Sequence, residues 1–398
     1  MNTVRLRIAC FSIFAFIVVF RAVPVAADSY DLVTIGARAE AMGGAAIGMA
    51  DDSTAIFNNP GALAFLRHSE IAASGRILSD HLEKHDDSNT PATFRNTTLS
   101  FVGGASPVSF RGHRFSFAMG YYRPIEMVTY YKDSNIHGGI IAYGPGMAMT
   151  ISPWLSAGLA INIWGGTRDF DRTSEGTTLW WKSTYSGTNA TVGLMADFRQ
   201  RSKALPLRIG LTIRSPFDLK IDYHDRISTQ NQADLLSSIS YKLEMPWMYG
   251  MGIAYDPIVS LTLAGDIETR RFGDRLIIAD GTIGHQETPL SASGKNLTPI
   301  RIGAEFRVQA GRWQIPLRAG FRTMPTLRAD QQDGEATDQV VGSVFSFGSG
   351  IGNDRFRIDA TYSRSSYDTK SRTAGKETMA TRTYQTIIIA GSFRLGGN

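Results

Sequence analysis

Apolar side chains occupy every second position over most of the chain, from about residue 68 to the end. Successive side chains of an extended strand point to opposite faces, so a period of two predicts β-strands rather than helices. The segment 299–308 is typical: Ile300, Ile302, Ala304, Phe306 and Val308 face one way, and Arg301, Gly303, Glu305 and Arg307 face the other. We therefore predict an all-β fold.

About fourteen such strands follow one another, and the connections between them alternate in length. Short turns are predicted at 152–153, 256–258, 310–311 and 352–353, and long loops at 80–94, 124–136, 167–177, 272–297, 324–339 and 365–381. Short turns at one rim and long loops at the other are typical of a transmembrane antiparallel β-barrel. An even number of strands places both ends of the barrel at the short-turn rim.

Two stretches keep one parity for longer than strands of soluble proteins usually do. Apolar residues dominate the odd positions over 207–223 and again over 239–255. A strand of seventeen residues extends roughly 56 Å, enough to cross a bilayer and project beyond it. Alternation alone does not say whether the apolar face meets lipid, as in a membrane barrel, or a protein core, as in an exported soluble sandwich or propeller.

Residues 1–27 have the pattern of a secretory signal peptide. Arg5 and Arg7 precede an apolar run over 10–20, and small residues follow up to Ala27, after which we expect cleavage. The run is shorter than the ~20 residues that a spanning helix needs. The only cysteine, Cys10, lies in this part, so the mature chain is predicted to have no disulfide and no thiolate metal site.

Charge and composition exclude two broad classes of protein. The formal net charge is +5, and three arginines lie within the predicted signal peptide, which leaves no basic surface typical of nucleic-acid binding. A hydrophobic content of 43% with 19% charged residues excludes a disordered chain. We expect no nucleic-acid partner.

Residues 28–67 do not alternate and are rich in glycine and alanine. Asp51 or Asp52 is a good N-cap for a short helix, and Pro60 ends it because the residue before a proline is disfavoured in the helical region. A compact segment therefore precedes the first strand. It would lie either outside the barrel as a cap or inside as a plug, since a fourteen-stranded barrel encloses more space than its own side chains fill.

Several short patterns along the mature chain carry a resemblance to a known family. They are Gly36-Ala-Arg-Ala, Met42-Gly43-Gly44-Ala, Ala50-Asp51-Asp52 and Asn59-Pro60, then Leu243-Glu244-Met245-Pro246, Pro299-Ile-Arg-Ile-Gly303-Ala-Glu305-Phe306, Leu317-Arg318-Ala-Gly320-Phe321, Phe345-Ser-Phe347-Gly348-Ser-Gly350 and Asp359-Ala-Thr-Tyr362. In this order the chain resembles the long-chain fatty acid outer-membrane transporter family of the FadL/TodX type. The family's Asn-Pro-Ala triplet reads Asn59-Pro60-Gly61 here.

The resemblance implies a barrel of about fourteen strands, residues 68–398, with an N-terminal hatch, residues 28–67, in its lumen. Family members take hydrophobic molecules from outside, hold them in a pocket beside the hatch, and release them through a lateral gap near a kinked third strand. On this basis we assign Asn59, Pro60 and Gly61 to the hatch turn. The pocket contacts are assigned to Met42, Met49 and Phe57, and the kink to Gly120 and Pro124.

Each assignment has a plainer alternative that stays open. The two methionines and the phenylalanine would anchor the hatch without touching a ligand, and the glycine and proline of the third strand would simply end it. Methionine does suit a pocket that accepts ligands of varied shape.

No pattern in the sequence indicates catalysis. His81 and His85 have a spacing that would bind a metal on a helix, but they fall in a predicted loop and do not form the H-E-x-x-H motif. The glycine-rich stretch 348–352 does not join a strand to a helix, as a phosphate-binding loop would require. We therefore expect a non-enzyme with no cofactor and no metal.

We predict an outer-membrane barrel of a Gram-negative bacterium, monomeric, that takes up hydrophobic compounds such as long-chain fatty acids or aromatic hydrocarbons. Passage would be passive and gated by the hatch, and the surroundings would be outer-membrane lipid and lipopolysaccharide. The alternative is a barrel that does not transport but serves as a scaffold or secretion accessory and binds a protein partner. A third possibility is the exported soluble sandwich or propeller.

Overall fold

The computed structural model describes residues 32–85, 92–126, 135–174, 176–202, 205–229, 233–281, 284–373 and 375–395. The predicted signal peptide, residues 1–27, and the first residues of the predicted hatch lie outside these ranges. Within them, no helix is both long and apolar enough to span a membrane.

The described residues form a few short helices and many strands. The helices are α1 (Ala37–Ala41) and α2 (Ala55–Asn58), with 3-10 helices at Pro60–Phe65 and Phe198–Gln200. The strands are β1 (Ser69–Lys84), β2 (Ala92–Phe110), β3 (His113–Ile125), β4 (Asn135–Gly138), β5 (Ile140–Ser152), β6 (Leu155–Gly165), β7 (Thr167–Ser174), β8 (Thr177–Asp197), β9 (Leu207–Arg214), β10 (Phe217–Thr229), β11 (Leu235–Met245), β12 (Met248–Ile258), β13 (Leu261–Arg270), β14 (Leu276–Gly281), β15 (Gly284–Pro289), β16 (Ile300–Ala310), β17 (Trp313–Gln332), β18 (Glu335–Gly352), β19 (Phe356–Thr373) and β20 (Lys376–Leu395).

In the part of the chain that the structure describes, fourteen strands close into one antiparallel barrel. Their order around the wall is β1, β2, β3, β5, β6, β8, β9, β12, β13, β16, β17, β18, β19 and β20. The last strand pairs with the first, from Ser69 opposite Leu395 to Lys84 opposite Ala380. The predicted all-β barrel is confirmed, and the sandwich and propeller alternatives are wrong.

The apolar parity faces outward. On β12, Ile253 and Tyr255 are 41% and 45% exposed, while Ala254 between them is fully buried. On β16, Ile302 is 54% exposed and Glu305 only 2%. Charged and small side chains therefore line the interior, and the outer surface carries a continuous apolar belt.

Beyond the rim opposite the short turns, a second sheet extends the wall. It pairs β4, β7, the first half of β8, β10, β11, β14 and β15 in that order. The prediction of two unbroken long strands is wrong, because the backbone leaves the ladder at Ser215–Pro216 and at Pro246–Trp247. Proline cannot donate to a ladder, which explains both breaks. In the second sheet the odd-numbered positions, which face outward in the barrel strands, are buried: Leu219 on β10 and Leu243 on β11 are 0% and 1% exposed.

Several predicted loops are strands instead. The ranges 324–339 and 365–381 belong mostly to the hairpins β17–β18 and β19–β20. The first hairpin turns at Asp333 and Gly334, both with positive φ (51° and 92°), as a type I′ turn requires. The apolar alternation is lost around this turn because residues 331–338 are exposed on both faces of the hairpin.

Candidate functional site

The N-terminal segment, residues 32–67, packs against the inward face of the wall. Its backbone approaches the wall most closely where wall strands present glycines. Met42 and Gly43 meet Gly303 and Gly320, Ile47 and Gly48 meet Gly210 and Gly252, and Pro60 and Gly61 meet Gly158 and Gly193. A Cβ on Gly320 would lie 2.0 Å from the Gly43 nitrogen, and one on Gly303 would lie 2.4 Å from the Met42 oxygen. These wall positions therefore exclude any side chain.

The predicted hatch turn is a hydrogen-bonded corner of this segment. The Asn59 side chain is fully buried. Its Nδ2 donates to the carbonyl oxygens of Ile47 (2.9 Å) and Leu194 (3.0 Å), and its Oδ1 accepts from the Gly61 nitrogen (3.1 Å). Pro60 begins the 3-10 helix, where its missing N–H needs no partner. Asn59 thus connects two parts of the segment to each other and to β8.

A buried ion-pair network joins α1 to the wall. Arg38 donates to both carboxylate oxygens of Glu305 (2.8 and 2.9 Å) and also pairs with Asp51. Glu305 accepts from Arg318 (2.7 Å), which donates in turn to Asp359 (2.7 Å). The alternation placed Glu305 on the face opposite the apolar one, and nothing in the sequence paired it with Arg38.

A second polar anchor lies two residues further along α1. The Glu40 carboxylate accepts from Arg322 (3.1 Å) and from the Ser363 hydroxyl (2.7 Å). Burial alone would raise the pKa of Glu40, but the guanidiniums of Arg322 and Arg76, together with the Ser363 hydrogen bond, hold that pKa below its ordinary value. Glu40 therefore remains ionised at neutral pH and keeps its pairing.

The predicted pocket residues lie in two separate places. The Phe57 ring packs 5.0 Å from the Tyr122 ring and 4.3 Å from the Arg214 guanidinium, which also donates to the Phe57 carbonyl (3.0 Å). Phe57 lines a small cavity of about 40 Å³. Met42 and Met49 pack instead in a separate buried cluster against the wall alanines 254 and 264.

A larger cavity of about 160 Å³ lies between the N-terminal segment and the wall. It was not predictable from the sequence, because its lining residues come from strands far apart in the chain. Its charged lining residues are Arg76, Arg270, Arg301, Arg322, Glu40 and Glu126, and its apolar side includes Leu32, Leu78, Met324, Leu327 and Tyr384. Four guanidiniums thus share one cavity with an apolar wall.

The wall is irregular beside this cavity, on β3. Regular pairing with β2 ends where Phe101 lies opposite Tyr122, and the register with β5 shifts between Tyr122 and Ile125. The predicted kink residue Pro124 lies within this shift, and its carbonyl accepts from the Val33 nitrogen (2.9 Å). Gly120, the other predicted kink residue, keeps regular partners on both sides.

Within the described ranges, no group of three or more histidine, cysteine, aspartate or glutamate side chains is arranged to hold a metal ion. His81 and His85 lie at the end of β1, where their rings contact the hydroxyls of Thr93 and Thr381 (both 2.9 Å).

Comparisons with known proteins bear on the fold. No protein-family model matches the sequence, and no curated protein matches it. Among solved structures, a Pseudomonas aeruginosa FadL homologue matches with a TM-score of 0.68 and 13% identity, covering 92% of this chain and all of that one. The Pseudomonas putida toluene transporter TodX matches with 0.64 and 12%, and the Ralstonia pickettii toluene transporter TbuX with 0.61 and 14%, each at the same coverage. The chain therefore has the fold of FadL-type and TodX-type channels over nearly its whole length.

Proposed function

We propose that this protein is an outer-membrane channel through which hydrophobic compounds enter a Gram-negative cell. The observation that carries the proposal is a closed barrel with an apolar belt outside and a peptide segment packed within. An apolar outer face of this kind is stable in lipid and unfavourable in water. Solved structures of the same fold include toluene transporters and a FadL homologue.

Membrane insertion can be tested on the apolar belt itself. Replacing Ile253, in the middle of β12, by arginine should destabilise the barrel in lipid vesicles by about 2–4 kcal/mol, because the charge would face hydrocarbon. The measurement is urea unfolding followed by tryptophan fluorescence. Leu236→Arg is the control, because Leu236 is 76% exposed at the far end of β11. Equal effects of the two substitutions would contradict a membrane-spanning belt.

The N-terminal segment is assigned the role of hatch, with Asn59, Pro60 and Gly61 as its turn. The segment fits the role because its polar side chains are bonded to several strands around the wall: Asn59 to β8, Arg38 to β16 and Glu40 to β19. Of the three assigned ligand contacts, Phe57 already borders a cavity. Met42 and Met49 would meet a ligand only after the segment has moved.

Lateral release is assigned to the irregular part of β3, near Gly120 and Pro124. A hydrophobic molecule that leaves sideways into the bilayer is never rehydrated, whereas one that leaves through an aqueous pore is. The loss of pairing above Tyr122 and the hydrogen bond from Val33 to Pro124 support this assignment. The hydrogen bond joins the start of the segment to β3 just beyond the last β2–β3 pair.

Uptake is measured in Gram-negative cells that lack their own importers of hydrophobic compounds and express this protein. We expect labelled oleate or toluene to enter faster than in empty-vector cells, provided that the outer-membrane fraction contains the folded, heat-modifiable barrel. A folded barrel that admits neither compound, nor any other hydrophobe offered, would overturn the transport proposal. A stoichiometric complex with another protein on mild extraction would then favour the scaffold alternative.

A further inference from the structure

The cavity of about 160 Å³ has an electrostatic character that a site for a neutral hydrocarbon does not need. Arg76, Arg270, Arg301 and Arg322 line it, and the carboxylates that neutralise them are Glu40, Glu126 and Glu268. Glu126 is shared with a further cation, Arg123, at 3.7 Å. In the described part of the chain, guanidiniums therefore outnumber carboxylates at this site.

Within the described ranges, two of these arginines have a buried Nε without an acceptor, and a third, Arg322, has a buried Nη1 without one. Arg76 and Arg301 are 3% and 7% exposed. The Nε of each has no hydrogen-bond partner among the described residues, although their other nitrogens approach Glu126 (3.3 Å) and Glu268 (3.6 Å). A buried donor without a partner is unfavourable, so an acceptor brought by a ligand supplies a hydrogen bond that the described residues leave unmade. Carboxylate is the acceptor that matches guanidinium geometry best.

The volume of the cavity limits the size of the apolar part of the ligand. A cavity of about 150 Å³ lined by apolar side chains holds a benzene ring, and this one has a similar volume, about 160 Å³. Leu78 and Leu327, 7% and 0% exposed, supply apolar surface to the same cavity. A long acyl chain needs several times that volume, and toluene brings no acceptor for the two Nε groups.

We infer that this cavity binds a small organic anion with an apolar part about the size of one ring, of the benzoate type. The carboxylate lies against Arg76 and Arg301, and the ring lies against Leu78 and Leu327. The inference rests on the proposed function, and it narrows the cargo to an amphipathic acid that is smaller than a fatty acid and more polar than a hydrocarbon.

The test is equilibrium dialysis of ring-labelled benzoate against the purified full-length barrel in detergent. We expect saturable binding at one site, competed by unlabelled benzoate and not by equal concentrations of benzyl alcohol or toluene. Arg76→Gln and Arg301→Gln should each weaken binding at least tenfold. Arg312→Gln, in the exposed turn before β17, should bind as the native protein does, and heat-modifiable mobility establishes that each variant is folded.

The apolar side is tested separately, with the arginines intact. Leu78→Phe should fill the ring space and abolish benzoate binding, and Leu99→Phe, the same change at an outward position that is 51% exposed, should leave it unchanged. Competition by benzyl alcohol as strong as that by benzoate would overturn recognition of the anion. The size limit would be overturned by two results together. Oleate would displace labelled benzoate at lower concentrations than unlabelled benzoate does, and Leu78→Phe would bind benzoate as the native protein does.

The binding test and the uptake test separate this inference from the proposed function. Uptake of oleate or toluene by cells, with no benzoate binding by the purified protein, would overturn this inference and leave the proposed function standing. Benzoate binding by a folded barrel that carries no hydrophobe into cells would overturn the proposed function and leave the anion site standing.

Discussion

Replacing Gly320 by valine should displace the N-terminal segment from the wall and open the lumen to ions. A Cβ at this position would lie 2.0 Å from the Gly43 nitrogen and 2.3 Å from the Met42 carbonyl carbon. Both neighbours are backbone atoms, so no change of rotamer relieves the clash. Gly43 is also held in a left-handed conformation (φ 68°) between β16 and β17, where a shift would drive it into the wall.

The measurement is conductance of the purified barrel in planar bilayers. We expect the native protein to conduct poorly and Gly320→Val to conduct several-fold more, with faster tryptic cleavage after Arg38, which is now only 8% exposed. Gly391→Val is the matched control, because a Cβ there meets nothing within 4 Å. If Gly320→Val disturbs assembly, Gly320→Ala is the milder form of the same test. A folded variant with unchanged conductance and unchanged cleavage would show that the segment does not close the lumen.

The wall of the barrel was predictable because its outer and inner faces impose opposite demands on successive residues. The period of two over 298–309 predicted a strand, and repetition of that pattern predicted about fourteen. The alternation did not predict whether the apolar face points outward or into a core, because a soluble protein with an apolar core would show the same alternation. The exposure of the apolar parity on the outside of the barrel decides the matter, and that outside exists only once β20 pairs with β1 across more than 300 residues of chain.

Beyond the apolar belt the same reasoning failed. The hairpin around Asp333 has no lipid on one side to demand alternation, so its strands were taken for a loop. The breaks at Pro216 and Pro246 carried a signal that was available, since proline interrupts a ladder. The unbroken run of apolar odd positions hid this signal. Odd positions face outward in the barrel strands and are buried in the second sheet, so they are apolar on both sides of each break.

The candidate site was only partly within reach of the sequence. Asn59, Pro60 and Gly61 do form one buried corner. The inward glycines were the missed signal: Gly303 and Gly320 occupy lumen positions where a filled barrel would tolerate larger residues, unless another backbone lies against them. The cavity was out of reach altogether, because Arg76, Arg301 and Leu327 meet only after the barrel has closed.

Replacing Glu305 by glutamine should destabilise the barrel by up to about 3 kcal/mol, because Arg38 and Arg318 would lose the buried counter-ion they share and keep only Asp51 and Asp359. Glutamine keeps the shape of the side chain and removes its charge. The measurement is urea unfolding in lipid vesicles, followed by tryptophan fluorescence. Glu287→Gln is the control, since Glu287 is exposed and pairs with His285 at the surface, where such a contact contributes at most about 1 kcal/mol.

A double-mutant cycle separates anchoring of the segment from stability of the wall. If Glu305 mainly holds Arg38, then Arg38→Met combined with Glu305→Gln should be less destabilised than the sum of the single variants, because the first change removes the charge that the second would leave unpaired. Strict additivity would mean that Glu305 serves Arg318 and Arg307 within the wall and that α1 is held elsewhere. Coupling in the cycle, together with raised conductance of Glu305→Gln, would identify the Arg38–Glu305 pair as the bond that keeps the segment in the lumen.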